Sequence, residues 1–171
     1  MKPQWGFGTS EELGMPLIVD ERMAQASSRV GAVRIAMFTL RSMENWRAIV
    51  DDCEKTLVML AVGTINGERL LRAERLEESL RDLRNVLPDE YVRQCNISSV
   101  AAATGLNRET ARRKVNELIE AGLLVRIGRS RLRYSPGFTQ MPSVSALVRK
   151  QLDALVRVAN DLMREGILTL D

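Results

Sequence analysis

Between residues 96 and 138, glycines at positions 105, 122 and 128 cut the chain into pieces that can only be short, closely packed elements. Residues 98–104, Ser-Ser-Val-Ala-Ala-Ala-Thr, read as a short helix capped by serine. Gly105-Leu106 follows as a tight turn, with the glycine free to take a positive φ and the leucine placed to plug the junction. Asn107 then caps a second helix over 108–121, which Gly122-Leu123 ends. Steps of 100° per residue put Ala111, Val115, Leu118 and Ile119 on one face and Glu109, Arg112, Arg113, Asn116 and Glu120 on the other. Val125-Arg126-Ile127, the turn Gly128-Arg129-Ser130, and 131–134 alternate apolar and basic residues, the pattern of a β-hairpin with one face on a core.

Two helices joined across a tight turn and followed by a hairpin have the spacing of a winged helix-turn-helix. Charge is concentrated in the same segment. Residues 96–138 carry eight Lys and Arg against three Asp and Glu, whereas 1–95 carry 13 against 15 and 139–171 carry four against four. Such a local surplus is the footprint of a surface that meets phosphates. Along the second helix Arg108, Arg112, Arg113 and Lys114 precede Glu117 and Glu120, so the N-terminal half is the end suited to a groove. Arg112 and Arg113 can present paired donors to guanine, Glu109 can accept from cytosine, and Asn116 can pair with adenine; Arg108 stands where it can reach past the helix end. Ser99, Asn107, Thr110, Lys114, Arg126, Arg129 and Arg131 are placed for phosphates.

The run Asn107-Arg108-Glu109-Thr110-Ala111-Arg112-Arg113-Lys114-Val115 resembles the recognition helix of bacterial winged-helix regulators of the cyclic-AMP receptor, MarR and GntR types. The resemblance covers the module from 96 to 138. It implies base-edge contacts for Arg108, Glu109 and Arg113. No ligand-binding β-barrel pattern precedes the module, so the nucleotide-sensing part of the cyclic-AMP receptor type is not implied.

The flanks read as helical. Residues 1–27 form a tail or extended arm in which Leu17-Ile18-Val19 is a candidate strand. Val30, Val33, Met37 and Leu40 mark a helix from Ser28 onward. A second helix carries Trp46, Ile49, Val50, Cys53, Leu57, Leu60 and Ala61, with a stop at Asn66-Gly67, and a third spans 70–87 before Pro88. A long helix over about 143–165, capped by Ser143 and stopped by Gly166, carries a broad apolar stripe. The fold class is thus mainly α with a small β-hairpin, a winged helix-turn-helix over 96–138 flanked by a helical region over 28–95 and a C-terminal helical region over 139–171. Surplus apolar surface on the 144–165 helix and on the helices between 28 and 66 points to a homodimer.

Enzyme classes find no support. The chain has no histidine, which removes the commonest general base. Gly6-Phe7-Gly8-Thr9-Ser10 lacks the lysine of a phosphate loop, and Asp51 and Asp52 diverge as solvent-facing or capping groups. Cys53 and Cys95 read as separate, reduced, buried thiols with no metal-site spacing. Neither a signal peptide nor a membrane-length apolar run is present, so a cytoplasmic protein without cofactor is expected. The expected function is sequence-specific binding of double-stranded DNA in transcription regulation, with helix 108–121 in the major groove and hairpin 125–134 on the backbone. No spacing marks a small-molecule effector. A winged-helix module that organises a protein assembly is the alternative.

Overall fold

A computed structural model of the chain describes residues 15–72 and 77–171. The Gly6–Ser10 segment, most of the expected N-terminal arm, and Leu76 lie outside the described residues. The structure is mainly helical, with two small antiparallel two-stranded sheets. No described helix is long and apolar enough to cross a membrane. The chain divides into two units, one from Ser42 to Gln151 and one combining residues up to Arg41 with Leu152–Asp171.

The first described element of the terminal unit is strand β1 (Leu17–Val19), at the candidate strand of the expected arm. It pairs antiparallel with the last strand of the chain, β4 (Leu168–Leu170), in the register Leu17 to Leu170 and Val19 to Leu168. Helix α1 (Glu21–Ala26) follows, and the Asp20 carboxylate caps it by accepting from Met23 N–H at 2.9 Å. The next helix, α2 (Ser28–Trp46), begins here. Gly31 lies so close to Ile167 that a Cβ would come within 3.2 Å of its side chain. Arg34 of α2 bonds Asp161 of helix α6 (Pro142–Arg164) at 2.9 Å. That helix starts one residue before the expected Ser143 cap, with proline at its first position, where no N–H is missed. It stops at Gly166, which has φ of 70°.

The central unit holds the main core. Helix α3 (Cys53–Arg72) buries Thr56, Val58, Met59, Ala61, Val62 and Asn66. The expected second helix is therefore split: Trp46 ends α2, Ile49 and Val50 lie in the connection, and Leu57 and Leu60 stay 37% exposed. Asn66-Gly67 does not stop the helix. Instead Asn66 Nδ2 donates to the carbonyls of Arg93 at 2.9 Å and Leu132 at 3.3 Å, using the side chain as a tertiary tie. A glycine inside a helix costs about 1 kcal/mol. Burying Val58, Met59 or Val62 contributes about 1.5–3 kcal/mol each, so the cost is outweighed.

The expected helix over 70–87 is not present in the described residues beyond Arg72. They form single 3-10 turns at Glu78–Arg81 and Asp89–Tyr91. Two physical causes are visible. The Asp82 carboxylate accepts from Arg84 N–H at 2.9 Å, a local bond that competes with helical pairing. Leu83, moreover, is exposed, so the leucine period has no buried face to support it.

Helices α4 (Ile97–Thr104) and α5 (Arg108–Glu120) and the hairpin of β2 (Leu124–Ile127) with β3 (Arg131–Tyr134) complete the unit. Val100, Ala111, Val115 and Leu118 are fully buried, and Leu124 and Leu132 nearly so, around α3. Cys95 joins this core and bridges to Leu132, whose N–H donates to Cys95 O at 2.8 Å. Cys53, expected buried, is exposed at the first turn of α3. The Tyr134 hydroxyl donates to Met59 O at 2.7 Å and crosses α3 at Gly63, where a Cβ would lie 2.1 Å from the phenol oxygen. Only glycine lets the hairpin close on the helix there.

Candidate functional site

The α4–α5 corner is built from backbone bonds that its sequence dictates. Asn96, not serine, caps α4: its side chain accepts from Ser99 N–H at 2.9 Å while Ser99 Oγ accepts from Asn96 N–H at 2.8 Å. Ser99 Oγ also donates to Asn96 O at 2.8 Å, so the hydroxyl expected on a phosphate is engaged in the cap. Gly105 takes φ of 72° and donates to Ala101 O at 3.0 Å. Asn107 caps α5 as expected, accepting from Thr110 N–H at 2.7 Å.

The outer face of α5 carries the polar residues that the 100° spacing placed there. Arg108, Glu109, Arg112, Arg113 and Glu120 are exposed and Asn116 is half-buried. Glu109 and Arg112, one turn apart, form a two-pronged pair at 2.5 and 3.1 Å. The Arg112 guanidinium holds the Glu109 carboxyl below its ordinary range, and the carboxylate raises the arginine in return. At the far end Arg126 of β2 donates to Asn116 Oδ1 at 3.0 Å, tying hairpin to helix. The side chains of Arg108 and Arg113, with those of Arg129 in the hairpin turn and Arg131 at the start of β3, are exposed and form no ion pair or hydrogen bond among the described residues. Arg133, the remaining hairpin arginine, pairs with Asp89.

Lys114 corrects the reading from sequence. Its side chain, expected on a phosphate, is 8% exposed and turned inward. Nζ lies 2.6 Å from Asp52 Oδ2, 3.5 Å from Glu54 and 3.7 Å from Glu117. The ammonium lowers the Asp52 carboxyl, and the Asp52 contact raises Lys114, against the opposing effect of burial. Asp52 and Glu54 thus belong beneath the α5 face, a role the sequence reading missed. The signal was present: Lys114 lies three residues after Ala111 and four before Leu118, at the edge of the buried stripe rather than on the outer face.

The arrangement is a helix fixed on its inner side, with donors displayed on its N-terminal half. Comparison of the chain with protein-family models, curated proteins and solved structures finds no match.

Proposed function

We propose that residues 96–138 act as a winged helix-turn-helix that binds double-stranded DNA sequence-specifically, as the DNA-reading part of a cytoplasmic transcriptional regulator. In this reading α5 enters the major groove. Arg108 and Arg113 address base edges directly, and Glu109 with Arg112 presents an acceptor beside a donor fork, matched to neighbouring cytosine and guanine edges. Asn116 reads in concert with Arg126 at the distal end. The hairpin turn lays Arg129 and Arg131 on the sugar-phosphate backbone, with Thr110 and Asn107 at the start of α5 close to the same strand. A homodimer, held through the terminal unit, would address two half-sites in inverted orientation.

The observation that carries the reading is the pair Arg108 and Arg113: exposed guanidinium groups with no internal partner among the described residues, on the N-terminal half of a helix whose opposite face is buried. Unpaired guanidinium groups on a rigid helix suit base recognition because their donors are already oriented and need not leave an internal acceptor.

Selection of bound sequences from a random duplex pool tests this directly. The expected result is a palindromic consensus, with affinity falling linearly in log salt at about −0.9 per phosphate neutralised. Equal retention of all sequences, or affinity indifferent to salt, would remove the proposal.

A further inference from the structure

Lys114 spends its charge inside the protein, where it cannot neutralise a phosphate. The chain of contacts around it is specific. Asp52 caps the first turn of α3, its Oδ1 accepting from Lys55 N–H at 3.0 Å while Oδ2 takes the Lys114 ammonium at 2.6 Å. Each oxygen thus has its own partner, and a backbone N–H holds the carboxylate as well as the lysine does. Glu117, one turn beyond Lys114 on α5, is shared between Lys114 at 3.7 Å and Lys55 at 3.5 Å. Lys55 in turn holds Asp51 at 3.2 Å. Two ammonium groups and four carboxylates therefore join the start of α3 to the middle of α5.

Stability alone does not account for such a cluster, because its carboxylates stand partly in water, where an ion pair contributes only about 0–1 kcal/mol. Direction does. Apolar contacts at Ala111, Val115 and Leu118 hold α5 against the core but are non-directional one by one. A charged hydrogen bond to a backbone-anchored acceptor has a direction, and so adds to what fixes the rotation and rise of the helix. Base recognition needs side chains held within about 0.5 Å and 10–20°. Arg113 precedes Lys114 by one residue, so any rotation at Lys114 is passed to Arg113 undiminished.

We propose that Lys114 is a positioning residue: anchored on Asp52, it sets the rotation of α5 that presents Arg108, Arg112 and Arg113 to DNA. The inference rests on α5 being the base-reading helix. Its prediction separates two properties that usually move together. Lys114→Met keeps the volume, and its former partners Asp52, Glu54 and Glu117 are 32%, 44% and 34% exposed, so water can take them over.

The test compares the wild-type chain with Lys114→Met on a duplex selected from a random pool and on a scrambled duplex, across a salt series, beside thermal unfolding. The expected result is a melting temperature lowered by no more than a few degrees, the same affinity and salt slope on scrambled duplex, and a ratio of selected to scrambled affinity reduced about ten- to hundredfold, the discrimination of one bidentate base contact. Lys114→Arg, which keeps the charge and can reach Asp52, restores part of the ratio. Equal loss on both duplexes with a slope shallower by about 0.9 makes Lys114 a phosphate contact and overturns the inference. An unchanged ratio overturns it as well, leaving a merely structural pair. Should Lys114→Met fail to fold, Asp52→Asn removes the anchor charge and is read by the same criteria. A wild-type chain that retains no duplex sinks the DNA reading and this inference with it, an outcome distinct from the other two because it appears before any substitution.

Discussion

At the scale of single residues, the contact between Asp52 and Lys114 makes the stability of the central unit depend on pH with a definite sign. The Lys114 hydrogen bond holds the Asp52 carboxyl below the ordinary aspartate value of about 4. The unfolded chain therefore binds a proton at a higher pH than the folded chain does. The stabilisation is fully present above about pH 4 and is lost as pH falls through the depressed folded value. For Lys114 the shift is upward, chiefly through the Asp52 contact, so that contribution persists through neutrality and fades only as pH climbs beyond the ordinary lysine value of about 10.4. A series of melting temperatures from pH 6 down to about pH 3 should decline more steeply in the wild type than in Lys114→Met, where Asp52 has lost the group that depressed it. Parallel curves would mean that the pair contributes nothing to folding despite its 2.6 Å separation. Asp51, lowered by Lys55, titrates in both proteins and cancels in the comparison.

Elements differ in how far local sequence determines them. Helix α5 and the hairpin were legible because every local signal agrees: an Asn107 cap, a buried stripe at helical spacing, positive-φ glycines at 105, 122 and 128, and alternation across the turn. The outer-face arginines followed from the same geometry. What escaped was decided at a distance. Asn66-Gly67 resembles a helix stop, yet the Asn66 amide is spent on Arg93 and Leu132, 27 and 66 residues away. The leucine period over 70–87 resembles an amphipathic helix but lacks a surface to cover Leu83. The strand pairing of Leu17–Val19 joins the two ends of the described chain, and nothing near Leu17 announces Leu168–Leu170. Lys114 was misplaced because its charge outweighed its position on the stripe, and the carboxylate that claims it lies 62 residues earlier.

Under the proposed function, the division between helix and hairpin leads to a prediction about what each would contribute to DNA binding. Arg113→Ala should relax preference at one base pair by about 1–3 kcal/mol. Arg129→Ala, on the exposed hairpin turn, should weaken selected and scrambled duplexes alike and reduce the salt slope by about one phosphate. Competition binding against single-base variants of the selected duplex distinguishes the two patterns, and matching profiles from both substitutions would erase the assignment of base reading to α5 and backbone contact to the hairpin.

For the molecule as a whole, the described residues of the terminal unit expose more large apolar side chains than they bury. Among its described residues the buried apolar side chains are Ala154, Leu162 and Ile167, the last of them against Gly31. Against these, Val30, Val33, Met37 and Leu40 step along α2 at helical spacing with exposures of 39%, 53%, 42% and 71%, and Leu152 and Leu155 of α6 are 52% and 50% exposed. A stripe at the spacing of a core position but open to water is a face waiting for cover. The β1–β4 ribbon, three residues per strand, is too small to be stable by itself. A second copy of the chain supplies matching stripes by symmetry, which is why the proposed homodimer is assigned to this unit. The α3 residues between 53 and 66, expected to share in the interface, are instead committed through Val58, Met59 and Val62 to the core of the central unit. If folding of the terminal unit is completed by association, the melting temperature rises with protein concentration. Sedimentation at micromolar concentration should show a dimer, and Val33→Glu, which puts a charge in the middle of the α2 stripe, should give a monomer. That monomer should bind a single half-site as well as the wild type does but lose about a hundredfold or more on the inverted repeat, because the second half-site is no longer engaged at high effective concentration. A wild-type chain that sediments as a monomer would reject the dimer while leaving the reading of α5 untouched, since one copy presents Arg108 and Arg113 without help from another.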